Sequence, residues 1–150
     1  MSLVEEVALL RKIPLFAKLD PAKLKLLAFT SERLTFSAGQ GLFNQGDPGD
    51  AAYIIIEGEA DIRVNSPKGP ITVAHLGRNA LIGEIAILCD VPRTASVMAT
   101  SDLVTLRIAK DTFLRMVNEF PDMAIEIMRE LAKKLDDTNE QLRLAKQVAS

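Results

Sequence analysis

The stretch GEIAILCDVPRTASV, residues 83–97, sets an apolar helical turn and a lone arginine on either side of a short loop. Gly83 and Glu84 open the turn Ile85-Ala86-Ile87-Leu88, and Cys89-Asp90-Val91-Pro92 forms the loop. Arg93 then leads into a strand expected over 94–100. Strand side chains alternate between faces, so Arg93 shares its side with Ala95, Val97 and Ala99, while Ser96, Met98 and Thr100 point the other way. If that small apolar face is the inner one, a permanent cation faces an interior, which is costly without a partner. Upstream, a helical turn entered from a glycine offers free backbone N–H groups, a setting that suits an anion. Both features aimed at one point suggest a bound phosphate. Arginine serves there because its fork makes two parallel hydrogen bonds to phosphate oxygens, which lysine cannot copy.

The pattern GE-x-A-x-L-x-x-x-PR-x-A-x-V resembles the phosphate-binding cassette of cyclic nucleotide-binding domains. These occur in the bacterial catabolite activator, protein kinase A regulatory subunits and nucleotide-gated channels. Two further stretches are similar to the family: SAGQGLFNQGDPGDAAYIIIEGEA (37–60) and LRIAKDTFLRMV (106–117). The resemblance implies cAMP or cGMP as ligand, cAMP being favoured on the bacterial-type likeness, and no required cofactor or metal. It implies Arg93 as the clamp on the cyclic phosphate and Glu84 as acceptor for the ribose 2′-hydroxyl. A carboxylate at position 84 also suits a helix start. Ile85 and Ala86 would present N–H groups to the phosphate, and Gly83 permits close approach or positive φ. A hydroxyl at Thr94 is associated in the family with the guanine amino group, yet cAMP binders carry it too, and strict alternation turns it away from the pocket. Ala95 is expected as a small wall residue. Ile71, Val73, Leu76 and Ile82 either line the base and sugar or belong to the core. Leu131, Leu135 and Thr138 are lid candidates, and the Thr138-Asn139 pair falls where the family places purine contacts. Two positions depart from the pattern. Asn79 stands where a second glycine is common, though asparagine tolerates the left-handed conformation, and Ile82 replaces the usual phenylalanine. Cys89 is expected to be buried and inert.

The chain has 150 residues, enough for one domain with a real core. Hydrophobic residues make up 48% and charged ones 25%, an ordinary globular balance. A net charge of −2 announces neither a nucleic-acid nor an anionic-membrane surface for this chain alone. No apolar run approaches the roughly 20 residues of a membrane span. The start MSLVEEVALLRK lacks the basic region and cleavage site of a signal peptide. Met1-Ser2-Leu3 reads equally as a cloning remnant, so the chain is open to being a piece of a longer one. The single cysteine excludes an internal disulfide and fits a reducing compartment, with the cytoplasm as the expected location. The only histidine is His75, which excludes clustered metal ligands and persuasive serine–histidine or cysteine–histidine arrangements. An enzyme is therefore not expected.

Residues 1–32 read as N-terminal helices. Leu3, Val7 and Leu10 keep helical spacing as far as Pro14, and Asp20-Pro21 is a cap with proline in the first turn, ahead of the stripe Leu24, Leu27 and Ala28. Over 33–110 the pattern changes to about eight short strands separated by turn residues, which predicts a sandwich or jelly roll. The resemblance implies the jelly roll. Residues 111–150 read as two C-terminal helices, the first capped by Asp111 and the second running from Pro121 towards Ala149. Met128, Leu131, Leu135, Thr138, Leu142 and Ala145 alternate steps of three and four along that last helix. This seam either packs on its own β-roll or pairs two subunits in a homodimer through residues 121–149, as in the catabolite-activator type. The expected function is a regulatory sensor whose terminal helices move on ligand binding, which requires different affinities for two helix positions. It would act on an effector protein or fused domain that the sequence does not identify. The alternatives are the sensory half of a catabolite-activator-like regulator lacking its DNA-binding part, and a nucleotide-independent interaction module.

Overall fold

The computed structural model describes residues 2–149, without the side chains of 141 and 145–149. Its central strand, β3 (Ala51–Glu57), is the continuous apolar run seen in the sequence, and its first five residues are buried. One face, carrying Ala51, Tyr53 and Ile55, meets Val97, Ala99 and Leu103. The other, with Ala52 and Ile54, packs against helices through Leu24, Phe113 and Met123. A strand held between two apolar layers has no polar face to alternate with. Each large side chain buried there contributes about 1.5–3 kcal/mol.

Around it run β1 (Ser31–Phe36), β2 (Gly41–Phe43), β4 (Ala60–Val64), β5 (Ile71–Leu76), β6 (Leu81–Ile82), β7 (Ser96–Ala99) and β8 (Leu103–Ala109). They form two four-stranded sheets, ordered β1-β8-β3-β6 and β2-β7-β4-β5, and every pairing is antiparallel. This is an eight-stranded β jelly roll with flanking helices: strand count and turn spacing predicted a sandwich or jelly roll, and the family resemblance implied the jelly roll.

Helix α1 (Leu3–Arg11), a 3-10 turn (Pro14–Phe16) and α2 (Pro21–Thr30) cover one end. Asp20 caps α2 by accepting from the Lys23 amide at 3.0 Å. The first strand starts at Ser31, earlier than the expected Arg33. The Ser31 hydroxyl donates to the Leu27 carbonyl at 2.6 Å, closing the helix while its backbone extends to pair with Ile108. Strand β7 is shorter than the expected 94–100. The Arg93 backbone bonds instead to a loop, donating to the Asp47 carbonyl at 2.8 Å and accepting from the Gly46 amide at 2.9 Å.

The predicted cap at Asp111 is corrected. Helix α4 (Lys110–Glu119) has Ala109 at its N-cap, because β8 runs straight into it and the Lys110 amide donates to the Asp50 carbonyl at 2.9 Å. Asp111 sits in the first turn, where a carboxylate favours the helix dipole. Helix α5 (Pro121–Ala149) is held by buried Met123 and Ile127 and by partly buried Leu131. Beyond that grip, Met128, Leu135 and Leu142 are 65%, 63% and 55% exposed. Ala145, the last seam position, lies outside the described side chains.

Candidate functional site

Arg93 is 3% exposed, so the cation does face the interior. Its Nη1 donates to the Gly83 carbonyl at 3.0 Å and its Nη2 to the Ala51 carbonyl at 2.6 Å. Nη2 also meets Asp50 Oδ1 at 3.4 Å, while the other Asp50 oxygen takes Arg107 at 3.2 Å. The guanidinium lies 3.9 Å from the centroid of the Phe43 ring, a cation–π contact. Burial lowers the Arg93 pKa from its ordinary value and Asp50 opposes the shift, so the group keeps its charge. Among the described residues its buried Nε–H has no hydrogen-bond partner. A charged donor held in this way suits an anionic oxygen.

Gly83 adopts φ +83°, and a Cβ there would stand 2.4 Å from Arg93 Nη1. Only glycine meets both conditions. It enters α3 (Glu84–Leu88), whose first-turn amides lack intrahelical partners. The loop that carries Asp47 and Asp50 packs closely on this turn, since a Cβ on Gly49 would meet Ala86 Cβ at 2.5 Å. Glu84 is 1% exposed and pairs with Lys134 of α5 at 2.5 Å. Lys134 also donates to the Leu81 carbonyl at 3.0 Å. Asn79 takes the left-handed conformation, φ +72°, in the turn before β6.

These groups border a cavity of about 980 Å³ between the β2-β7-β4-β5 sheet, the cassette and α5. Gly83, Glu84, Ile85 and Ala86 line it together with Arg93, Thr94 and Ala95. Thr94 reaches the cavity because regular pairing starts only at Ser96, so strand alternation does not govern it. Val73, Leu76 and Ile82 contribute wall, as does Thr138 from α5. Leu131, Leu135 and Asn139 do not line it. Leu131 is turned onto the core, and Leu135 and Asn139 face solvent. The cavity face of α5 is instead Lys134, Asp137, Thr138 and Leu142. Lys134 is four residues before Thr138, so helical phase alone could have found it. Cys89 is corrected too: it is exposed at the end of α3, where the turn's buried face has passed to Ala86 and Ile87.

Residues 33–120 match the family model of the cyclic nucleotide-binding domain. The chain belongs to that family. A cAMP-dependent protein kinase regulatory subunit of Aspergillus niger is 34% identical over 116 residues, 77% of this chain and 28% of the relative. The crystal structure of the Thermus thermophilus catabolite activator protein aligns with TM-score 0.76 and 29% identity, over 89% of this chain and 63% of the other. A cAMP-binding acyltransferase from Mycobacterium smegmatis aligns with TM-score 0.78 and 28% identity, over 90% of this chain and 42% of the other. The chain is thus similar to parts of a kinase regulatory subunit, a catabolite activator protein and a cAMP-binding acyltransferase. The chain spans about a quarter of the length of the kinase regulatory subunits it matches.

Proposed function

We propose that the cavity binds a cyclic nucleotide, cAMP ahead of cGMP, and that the domain acts as a non-catalytic sensor. The observation that carries this is the buried, unpartnered Nε–H of Arg93 on the same cavity as Glu84. The Arg93 fork and the first-turn amides of Ile85 and Ala86 take the cyclic phosphate, and Glu84 accepts from the ribose 2′-hydroxyl. Gly83 allows the close approach. Thr94 and Ala95 flank the phosphate end, while Val73, Leu76, Ile82 and Thr138 bound the sugar and base. The preference for cAMP draws on the relatives, named for cAMP dependence or cAMP binding.

Residues of α5 form one wall, so a ligand that fits one position of that helix better than another shifts it by the difference in affinity. The exposed Met128, Leu135 and Leu142 are spaced by sevens, which supports a homodimer through α5. No helix among the described residues is long and apolar enough to cross a membrane. We assign the domain to the cytoplasm, without nucleic-acid binding of its own. Its effector is a fused domain or a separate protein.

The test is calorimetric titration with cAMP and then cGMP, on protein first unfolded and refolded to strip carried-over ligand. Micromolar or tighter binding of either is expected. No heat with either, from protein shown to be folded, overturns the reading in favour of a nucleotide-independent interaction module.

A further inference from the structure

We propose that the outward side of the two N-terminal helices is a docking surface for an anionic membrane. Helix α2 is apolar on both sides. Its inner side buries Leu24 and Leu27 in the core, while Ala22, Leu26 and Phe29, spaced by four and three, share the outer side. Leu26 is half exposed and Phe29 is 76% exposed. A helix that is apolar all round is ordinarily covered all round. Among the described residues the outer side of α2 has no cover. Helix α1 repeats the arrangement. Leu10 is buried and Val7 packs on the core, while Val4, 78% exposed, and Ala8 face outward.

Charge selects the partner. Arg11 continues the outward row of Val4 and Ala8 by three residues, and Lys12 and Lys18 lie in the connection to α2. Lys25 adjoins Leu26 and stands one turn before Phe29. All four cations are exposed, and none makes an ion pair among the described residues. Of the nearby acids, Asp20 is paired with Lys23 at 4.0 Å, and Glu6 borders a recess with Ala28 and Arg33, which leaves Glu5. The surface is therefore basic although the whole chain carries −2. Phe29 and Val4 project instead of lining a groove. A bilayer has no shape to match, whereas a protein partner requires close complementarity. Apolar side chains of this kind enter the boundary between headgroups and acyl chains, and each cation beside them is drawn to anionic lipid. None of these residues borders the nucleotide cavity, so the proposal stands apart from the ligand reading.

The experiment sediments nucleotide-free protein with vesicles of equal parts phosphatidylglycerol and phosphatidylcholine, or of phosphatidylcholine alone, at low and high salt. The parent is expected to bind the anionic vesicles at least about tenfold more tightly than the zwitterionic ones, and to be released by high salt. Phe29→Ser removes an apolar anchor and weakens binding about tenfold. Lys25→Glu reverses a charge and weakens it about thirtyfold at low salt. Ile71→Ser, at an exposed apolar position on β5, binds as the parent does. The chain contains no tryptophan, so Phe29→Trp carries the only indole, and its emission is expected to move to the blue on anionic vesicles. This last variant keeps the aromatic anchor and decides the matter should Phe29→Ser fold poorly. A parent that ignores vesicles overturns the proposal and turns the search to an acidic protein partner. Equal binding to both kinds of vesicle overturns it too, as does undiminished binding by folded Phe29→Ser and Lys25→Glu. An indole emission that stays put, or a loss in Ile71→Ser as large as in Phe29→Ser, places the contact elsewhere and refutes this surface.

Discussion

Replacing Arg93 by alanine tests the proposed phosphate site and the internal scaffold in one variant. Two effects superpose. The scaffold loses the donors to the Gly83 and Ala51 carbonyls, at 3.0 and 2.6 Å. A buried acceptor left unmet costs about 1–3 kcal/mol, and removing a desolvated cation returns part of that. A net destabilisation of about 1–3 kcal/mol follows, or roughly 3–10 °C in the melting midpoint of a domain this size. The ligand loses its charge-assisted fork, which for a buried pair costs about 2–5 kcal/mol. That is roughly 30-fold to several thousand-fold in affinity. The assay pairs thermal unfolding of stripped protein with calorimetric titration of cAMP at a temperature where both proteins are folded. Arg93→Ala binding as tightly as the parent would refute the placement of the phosphate. An unchanged midpoint would show that the two carbonyls find other donors, and that the scaffold argument is wrong.

Two further outcomes follow from particular contacts. Gly83→Ala forces φ +83° on a residue with a Cβ 2.4 Å from the Arg93 fork, so it should lower stability by about 1–2 kcal/mol and weaken nucleotide binding too. A melt and a titration matching the parent would show that the backbone tolerates the change. Leu135→Glu, at a 63% exposed seam position, should leave the melting of a monomer unaltered but dissociate an α5 dimer, which light scattering over a concentration series would read as a halved mass. A parent already monomeric at every concentration would dismiss the dimer.

Much of the site is local in sequence, which is why it was legible there. Gly83, Glu84 and Arg93 fall within one helical turn, a loop and a strand start, so their spacing alone carries the cradle. The expected burial of Arg93 is observed, though loop bonds to Asp47 and Gly46 rather than strand alternation set it, and the left-handed turn at Asn79 follows from side-chain chemistry. What was not legible depends on long-range placement. The Ala51 carbonyl that holds Arg93 Nη2, and Asp50 behind it, come from β3 and the loop before it, more than 40 residues away. The cavity face of α5 shares Thr138 and Leu142 with the seam but replaces Leu131 and Leu135 by Lys134 and Asp137, which hydrophobic periodicity passes over. The cap of α4 was misjudged because a strand running directly into a helix leaves no turn for a capping side chain. Cys89 looked apolar by type, yet it follows the last buried turn of a helix only 5 residues long.

The uneven grip on α5 has a mechanical consequence. The domain clamps its early turns at Met123, Ile127 and Leu131, and among the described residues the last polar tie to the β-roll is Lys134. From Lys134 to Ala149 the helix extends about 22 Å at 1.5 Å per residue. Pivoting that segment by roughly 10° about the lysine carries its far end through about 4 Å, while atoms at the fulcrum shift by a small fraction of that. At the proposed site, sub-ångström adjustments at this fulcrum would be amplified into a stroke wide enough to make or break a side-chain contact elsewhere.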